Sequence, residues 1–387
     1  MALLLISLFL LLIYTWLIFY YRKSWLEIKE FKIGEDWKLK NPVFISIIIA
    51  ARNEEENIGY CIKSIIEQTY PCHLFEVIVV DDHSTDSTAA IVNSFRKENL
   101  HVIKLEDYIG NQEINSYKKR AVETAIGQAR GRLIVTTDAD CVVPLQWLEL
   151  IANYHKRTGV VLIVAPVTYT RPPITDSFFN RFLKVFQSLD FMMLQGITGA
   201  SVYKKFHNMC NGANLAYEKK VFIEAGGFSG IDKIASGDDM LLMHKIQKLY
   251  PDKIGYLKSA GVIVQTHPAK NIREFVNQRI RWASKADKYP DKKITGVLVL
   301  VYLFNAWIFF IAICSFFYLK ALFLLLLLLG IKTLAELLLL FPVAVFFKNR
   351  KMLWWFILCQ PFHIIYTLLA GWLGKFDTYR WKGRNVK

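Results

Sequence analysis

The sequence predicts an α/β domain with a mostly parallel sheet, accompanied by transmembrane helices. Three observations carry that expectation. Residues 43–165 alternate short β-branched runs with helical patterns. Several of those runs end in acidic or polar motifs. The apolar residues, 53% of the chain, are otherwise concentrated in blocks towards its two ends.

Residues 1–21 form an almost unbroken apolar run, followed by Arg22 and Lys23. The length matches the roughly 20 residues a helix needs to cross a bilayer. A cleaved leader carries its positive charge before the apolar stretch and small residues after it. Here the charge follows, and so does bulky Trp25. Residues 1–23 therefore read as an uncleaved anchor, and the positive-inside rule places residue 22 onward in the cytoplasm.

Residues 44–50, 76–80, 101–105 and 133–137 read as strands, and 54–68, 85–98 and 116–129 as helices. This alternation predicts parallel strands with helices on both faces. Pro71 and the pair Pro172–Pro173 mark breaks. Between 178 and 194, Phe178, Phe179, Phe182, Phe186 and Leu189 recur at helical spacing, with Arg181 and Lys184 among them. Such a stripe is either an amphipathic helix on a membrane surface or plain core.

Residues 294–318, 321–347 and 353–374 are each long and apolar enough to span. Lys332 and Glu336 stand at i, i+4 in the second of them, where they can pair. Gln360, Pro361 and His363 interrupt the third. A re-entrant or interfacial last segment would keep the basic tail, residues 376–387, on the same side as Lys348, Arg350 and Lys351.

A net charge of +15 and a mean hydropathy of +0.27 fit a basic domain beside an anionic leaflet. The charge also suits diphosphate ligands. Nucleic acid is not expected, because no helix-turn-helix, zinc or single-strand-binding signature accompanies it. The six cysteines are scattered without a CxxC pair, which argues against zinc and against a disulfide framework.

The strongest motif is Asp138-Ala139-Asp140, directly after the run 133–137. Two carboxylates at the carboxyl edge of a sheet stand where open α/β sheets bind ligands. Mg²⁺ or Mn²⁺ takes such oxygens and bridges them to phosphates, although Asp-x-Asp also caps helices and fills turns. Two other strand ends carry polar motifs: Ala51-Arg52-Asn53-Glu54 and Asp81-Asp82. Each can face a nucleotide or simply cap the next helix. Parallel strands would bring all three edges to one side. Further on, Ser236-Gly237-Asp238-Asp239 offers a candidate general base, and Gln278-Arg279-Ile280-Arg281-Trp282 combines a guanidinium with an indole.

As an ordered set, Asp81-Asp82, Asp138-x-Asp140, Asp238-Asp239 and Gln278-x-x-Arg281-Trp282 resemble the membrane-bound family 2 glycosyltransferases, over about residues 43–290. The resemblance implies a GT-A fold in a cytoplasmic domain over residues 40–292, membrane segments over 293–375, and inversion at the anomeric carbon. Carried over by position, Asp81 and neighbouring Asp82 hold a uracil-type base, Asp138 the ribose or donor sugar, and Asp140 with Asp138 an Mg²⁺ or Mn²⁺ ion. Asp239 is the general base, with Asp238 beside it. Ala51, Arg52, Asn53, Glu54, Gln278, Arg281 and Trp282 lie on the nucleotide and donor side. Lys118, also on the nucleotide and donor side, falls at a Gly-Lys-like element in which Tyr117 replaces the glycine. Asn211, Gly212 and Asn214 resemble the acceptor-side loop.

The family resemblance leaves two outcomes. One is transfer of a single sugar from a nucleotide-sugar, UDP-linked by preference, to a lipid at the cytoplasmic face of a bacterial-type inner membrane. The other is a processive synthase that extends a growing glycan. Few polar groups in the apolar segments, and a Tyr379-Arg380-Trp381-Lys382-Gly383-Arg384 ending like that of the lipid-acceptor branch, favour the lipid. An inactive membrane scaffold with a transferase-like domain is a third outcome, disfavoured because all the acids are present.

Overall fold

The computed structural model describes residues 2–34, 42–109, 115–173, 175–232, 234, 237–285, 288–376, 379–381 and 384–386. The chain divides into two compact units that alternate along the sequence. One holds Met1–Ile28, Tyr169–Asn208 and Pro268–Arg380; the other holds Lys29–Thr168, Met209–His267 and Trp381–Lys387.

The second unit is built on a seven-stranded sheet. Its strands include β1 (Ile45–Ala51), β2 (Phe75–Asp81), β3 (Leu100–Lys104), β4 (Leu133–Thr136) and β5 (Leu162–Val164). The order is β3, β2, β1, β4, Leu215–Glu218, β5, Ile254–Tyr256. Parallel pairing joins β3 to β2, β2 to β1, β1 to β4, and β5 to Ile254–Tyr256. The strand Leu215–Glu218 runs antiparallel between β4 and β5. The expected mostly parallel sheet is therefore present, with one inserted antiparallel strand. β1 and β2 are buried along almost their whole length, as strands covered on both faces must be, which is why they read as continuous apolar runs.

The helices after these strands are shorter than the sequence pattern implied: Ile58–Ile66, Thr88–Ser94 and Tyr117–Gln128. In the first two cases, the residues between strand and helix bond across to each other instead of entering the helix, as described below.

At the amino end of the sheet, Ser46 Oγ donates to Glu76 Oε1 at 2.6 Å and accepts from Gly131 N at 2.7 Å. A Cβ on Gly131 would stand 2.4 Å from the Ser46 nitrogen, so the approach requires glycine.

The first unit is helical: Ala2–Glu27, Phe178–Lys204, Ile272–Ala283, Lys292–Ser315, Leu319–Phe346 and Phe356–Phe376. Among the described residues, four segments are long and apolar enough to cross a membrane: Leu3–Glu27, Lys292–Ser315, Leu319–Phe346 and Arg350–Lys375. In Phe178–Lys204, Val185 to Met192 are consecutive buried residues, so most of this helix is core; Phe178 and Phe179 at its start and Tyr203 at its end are exposed. The expected interruption at Gln360 is not a break, because the helix continues through Pro361 at the cost of one backbone bond.

Gln360 instead joins a buried polar cluster. Lys332 and Glu336 pair at 2.8 Å; Lys332 Nζ also donates to Gln360 Oε1 at 2.7 Å, and Gln360 Nε2 donates to Glu336 Oε2 at 2.6 Å. Tyr14 donates its hydroxyl proton to Glu336. Of the expected basic tail, residues 377–378, 382–383 and 387 lie outside the described residues, Lys382 and Gly383 among them.

Candidate active site

The carboxyl ends of β1 and β2 are level, with Ala51 opposite Asp81. The loops that follow are bound into one assembly. Asn53 adopts a left-handed conformation (φ 49°) that asparagine tolerates. Its backbone N–H donates to Ser84 Oγ at 3.1 Å, and its side-chain oxygen accepts from Thr85 N at 2.8 Å. Glu54 N donates to Thr88 Oγ1 at 2.8 Å, and Glu55 N donates to Asp86 Oδ2 at 3.1 Å. Asn53 therefore does not cap the next helix; that position belongs to Asn57. Asp86, however, does take Thr88 N at the start of its helix, at 3.0 Å.

Asp81 Oδ1 accepts from Ser84 N at 3.1 Å. Buried Asp82 stands 2.9 Å from the His83 ring nitrogen and 3.8 Å from Arg52, whose guanidinium also donates to the Asp82 carbonyl at 2.9 Å. Arg52 is thus turned onto its neighbouring loop.

A cleft opens beside β4. It is lined by Ala50, Thr136, Asp138, Lys118, Gly212, Asp238 and Asp239, among others. Lys118, in the first turn of Tyr117–Gln128, reaches Asp138 at 2.7 Å and Asp238 at 3.6 Å. Burial disfavours its charge, but Asp138 and Asp238 outweigh burial and raise the ammonium above the usual lysine value.

Asp238 and Asp239 open the helix Asp238–Leu249, where a helix N-terminus favours carboxylates. Gly237 before them has φ 77°, a turn that suits glycine; Ser236 lies outside the described residues. Asp239 accepts from Gly212 N at 2.8 Å and from Met240 N at 2.7 Å.

Asn211 Oδ1 accepts from Ala213 N at 3.0 Å and so shapes the turn that presents Gly212. Asn214 points elsewhere. It is buried; its amide accepts from Trp147 Nε1 at 2.9 Å and donates to the carbonyls of Pro166 and Val262 at 2.8 and 2.7 Å. Its polar atoms are committed to the scaffold.

Asp138, Asp140 and Cys141 offer ligand atoms within 4.8 Å of one another. Two carboxylates are the oxygen donors that Mg²⁺ or Mn²⁺ takes, and the set fits such an ion. Burial, with Asp140 and Asp138 beside it, pushes the Cys141 thiol up. Thr266 donates to Asp140 Oδ2 at 3.1 Å. Sequence reasoning missed Thr266, since nothing local marks a threonine 126 positions downstream as a partner.

Gln278, Arg281 and Trp282 belong to the helical unit. There Ile272–Ala283 buries Phe275, Arg279 and Ile280, while Gln278, Arg281 and Trp282 are half-buried. Arg279, passed over in the sequence reading, is the buried cation of this segment.

The family model described as Glycosyl transferase family 2 matches residues 46–225. The chain is 30% identical to Glycosyltransferase AglE of Haloferax volcanii over 247 residues, which cover 62% of this chain and 71% of that protein. It is 30% identical over 110 residues to Beta-monoglucosyldiacylglycerol synthase of Synechocystis sp.; the match covers 28% of this chain and 22% of that protein. In the solved structures it resembles Mannosyltransferase PcManGT from Pyrobaculum calidifontis, in complex with GDP-Man and Mn²⁺. The TM-score is 0.54 at 19% identity, covering 97% of this chain and 96% of that one, which is a likeness of fold.

Proposed function

Since this chain belongs to glycosyl transferase family 2, and so takes its sugar from a nucleotide-sugar, we propose that it is an inverting, metal-dependent enzyme acting on a lipid acceptor. The catalytic domain spans residues 40–292 and faces the cytoplasm. Residues 1–23 and 293–375 hold it in a bacterial-type inner membrane, and residues 376–387 form a basic cytoplasmic tail. The observation that supports the chemistry best is the convergence of Asp138, Asp238, Asp239 and Lys118 on one cleft at the carboxyl edge of β4.

In this reading Asp81, Asp82 and the 51–54 loop receive the nucleoside of a UDP-sugar. Asp138 and Asp140 hold Mg²⁺ or Mn²⁺, whose chemistry is to neutralise charge on the departing diphosphate. Asp239 takes the proton of the acceptor hydroxyl, its carboxylate fixed by two backbone N–H groups. Lys118 steadies Asp138 and Asp238 as the acids of the cleft. Gln278, Arg281 and Trp282 serve the donor, and Asn211 and Gly212 serve the acceptor.

Four helices suited to a bilayer support a lipid acceptor. So does the name of the Synechocystis relative, of which 22% is matched. The test offers UDP- and GDP-sugars to purified protein, with and without membrane lipid extract, and follows nucleotide release and product mass. Release that rises with lipid, giving one added hexose, is expected. A ladder of products would establish the processive alternative, and no release from any donor would overturn both.

A further inference from the structure

Asp190 lies in the middle of Phe178–Lys204 and Arg279 in Ile272–Ala283, both within the helical unit. Their side chains are 5% and 4% exposed, and Arg279 Nη2 stands 2.6 Å from Asp190 Oδ2. The other oxygen of Asp190 accepts from the Tyr366 hydroxyl on Phe356–Phe376. Tyr366 thus steadies the carboxylate against which the guanidinium rests. The guanidinium lies 4.2 Å from the centre of the Trp282 ring and 3.5 Å from the Gln278 side-chain oxygen. The face of an indole binds a cation, so the guanidinium plane sets the indole plane.

We propose that Asp190 is a positioning residue for sugar transfer: through Arg279 it orients Trp282 and Gln278, and through Tyr366 it ties them to the last long helix. The inference rests on the reading of Trp282 and Gln278 as donor-side groups. Its physical content is that an indole freed from its guanidinium samples other rotamers, and small misplacements near a reacting centre lower turnover more than they lower ground-state binding.

The test uses full-length protein in phosphatidylethanolamine–phosphatidylglycerol vesicles. UDP-glucose, UDP-N-acetylglucosamine and GDP-mannose are each offered with Mn²⁺, and the donor that the wild type turns over fastest is carried through the series. Arg279→Lys keeps the charge that Asp190 requires but loses the planar fork. The pair Asp190→Asn/Arg279→Gln removes both charges together, so neither is left buried alone.

We expect both variants to melt within about 5 °C of wild type, with kcat reduced at least tenfold and donor KM within threefold. A purely structural ion pair would lower the melting temperature and leave the kcat of the folded fraction intact. Trp282→Ala tests the underlying reading separately. If Trp282→Ala is impaired while both pair variants transfer within threefold of wild type, the positioning role is wrong. If Trp282→Ala itself transfers normally, the donor-side reading fails instead. Should the double variant fail to fold, Arg279→Lys decides.

Discussion

The Lys332–Glu336 pair gives the sharpest energetic prediction. Lys332 is fully buried, and its ammonium is met by Glu336 at 2.8 Å and Gln360 at 2.7 Å. Glu336 is met by that ammonium, by the Gln360 amide and by Tyr14. Lys332→Met deletes the cation and leaves a buried carboxylate with neutral donors only. Breaking a buried pair from one side costs about 3–5 kcal/mol. Glu336→Gln strands the ammonium in the same way, at a similar cost.

In the double variant, Lys332→Met/Glu336→Gln, no charge remains. The amide introduced at position 336 still accepts from Tyr14, and the lost hydrogen bonds cost about 1–2 kcal/mol in total. The singles should therefore sum to about 6–10 kcal/mol, against about 1–2 for the double, giving a coupling of at least about 4 kcal/mol. Thermal and denaturant unfolding in detergent micelles, followed by tryptophan fluorescence, would measure the cycle. Additive singles, or a cost below about 1 kcal/mol for Glu336→Gln, would refute the claim that these helices are joined by an ionic cluster.

Three other expectations concern catalysis and pH. Asp239→Asn should reduce kcat by roughly 10²–10⁴-fold while donor affinity, read by calorimetry, stays largely intact; near wild-type turnover would reassign the base. EDTA should abolish transfer and added Mn²⁺ or Mg²⁺ restore it, whereas full activity in metal-free buffer would remove the role given to Asp138 and Asp140. Burial lowers His207 from 6.5 to about 4, so the folded state keeps it neutral. The unfolded chain binds that proton first, so stability from this residue is complete above pH 6.5 and is lost as pH falls towards 4. Between pH 7.5 and 4.5 the loss is about 2–3 kcal/mol, and His207→Gln should flatten the melting profile by that amount. An unchanged profile would show that His207 is not the titrating group.

The parallel half of the sheet was readable because β1, β2 and β4 are buried on both faces and carry uninterrupted apolar runs. The acids at the ends of β2 and β4 were readable because a carboxylate closing an apolar run needs polar partners, which Asp81 finds in Ser84 and Asp82 in His83 and Arg52. The strand Leu215–Glu218 was not readable, since four residues, Leu-Ala-Tyr-Glu, carry too short a pattern to separate a strand from a loop. Helix starts were misplaced by about three or four residues because the bonds that delay them are to residues about 31–34 positions away. The same reason hid Thr266 from Asp140 and Asp190 from Arg279. A short motif announces an arginine, but only folding selects which of Arg279 and Arg281 is buried. Asn214 differs again: its motif looks like a ligand-facing amide, and that amide bonds Trp147, Pro166 and Val262.

The crosslinked turns after β1 and β2 bear on how this enzyme can be re-engineered. Residues 53–55 and 84–88 donate hydrogen bonds to one another in both directions, so the conformation of each turn depends on the other. A chimaera that imports only one of them from a relative would strand donors and acceptors on both sides. Exchange of either turn would have to carry the two segments together, as a single discontinuous cassette.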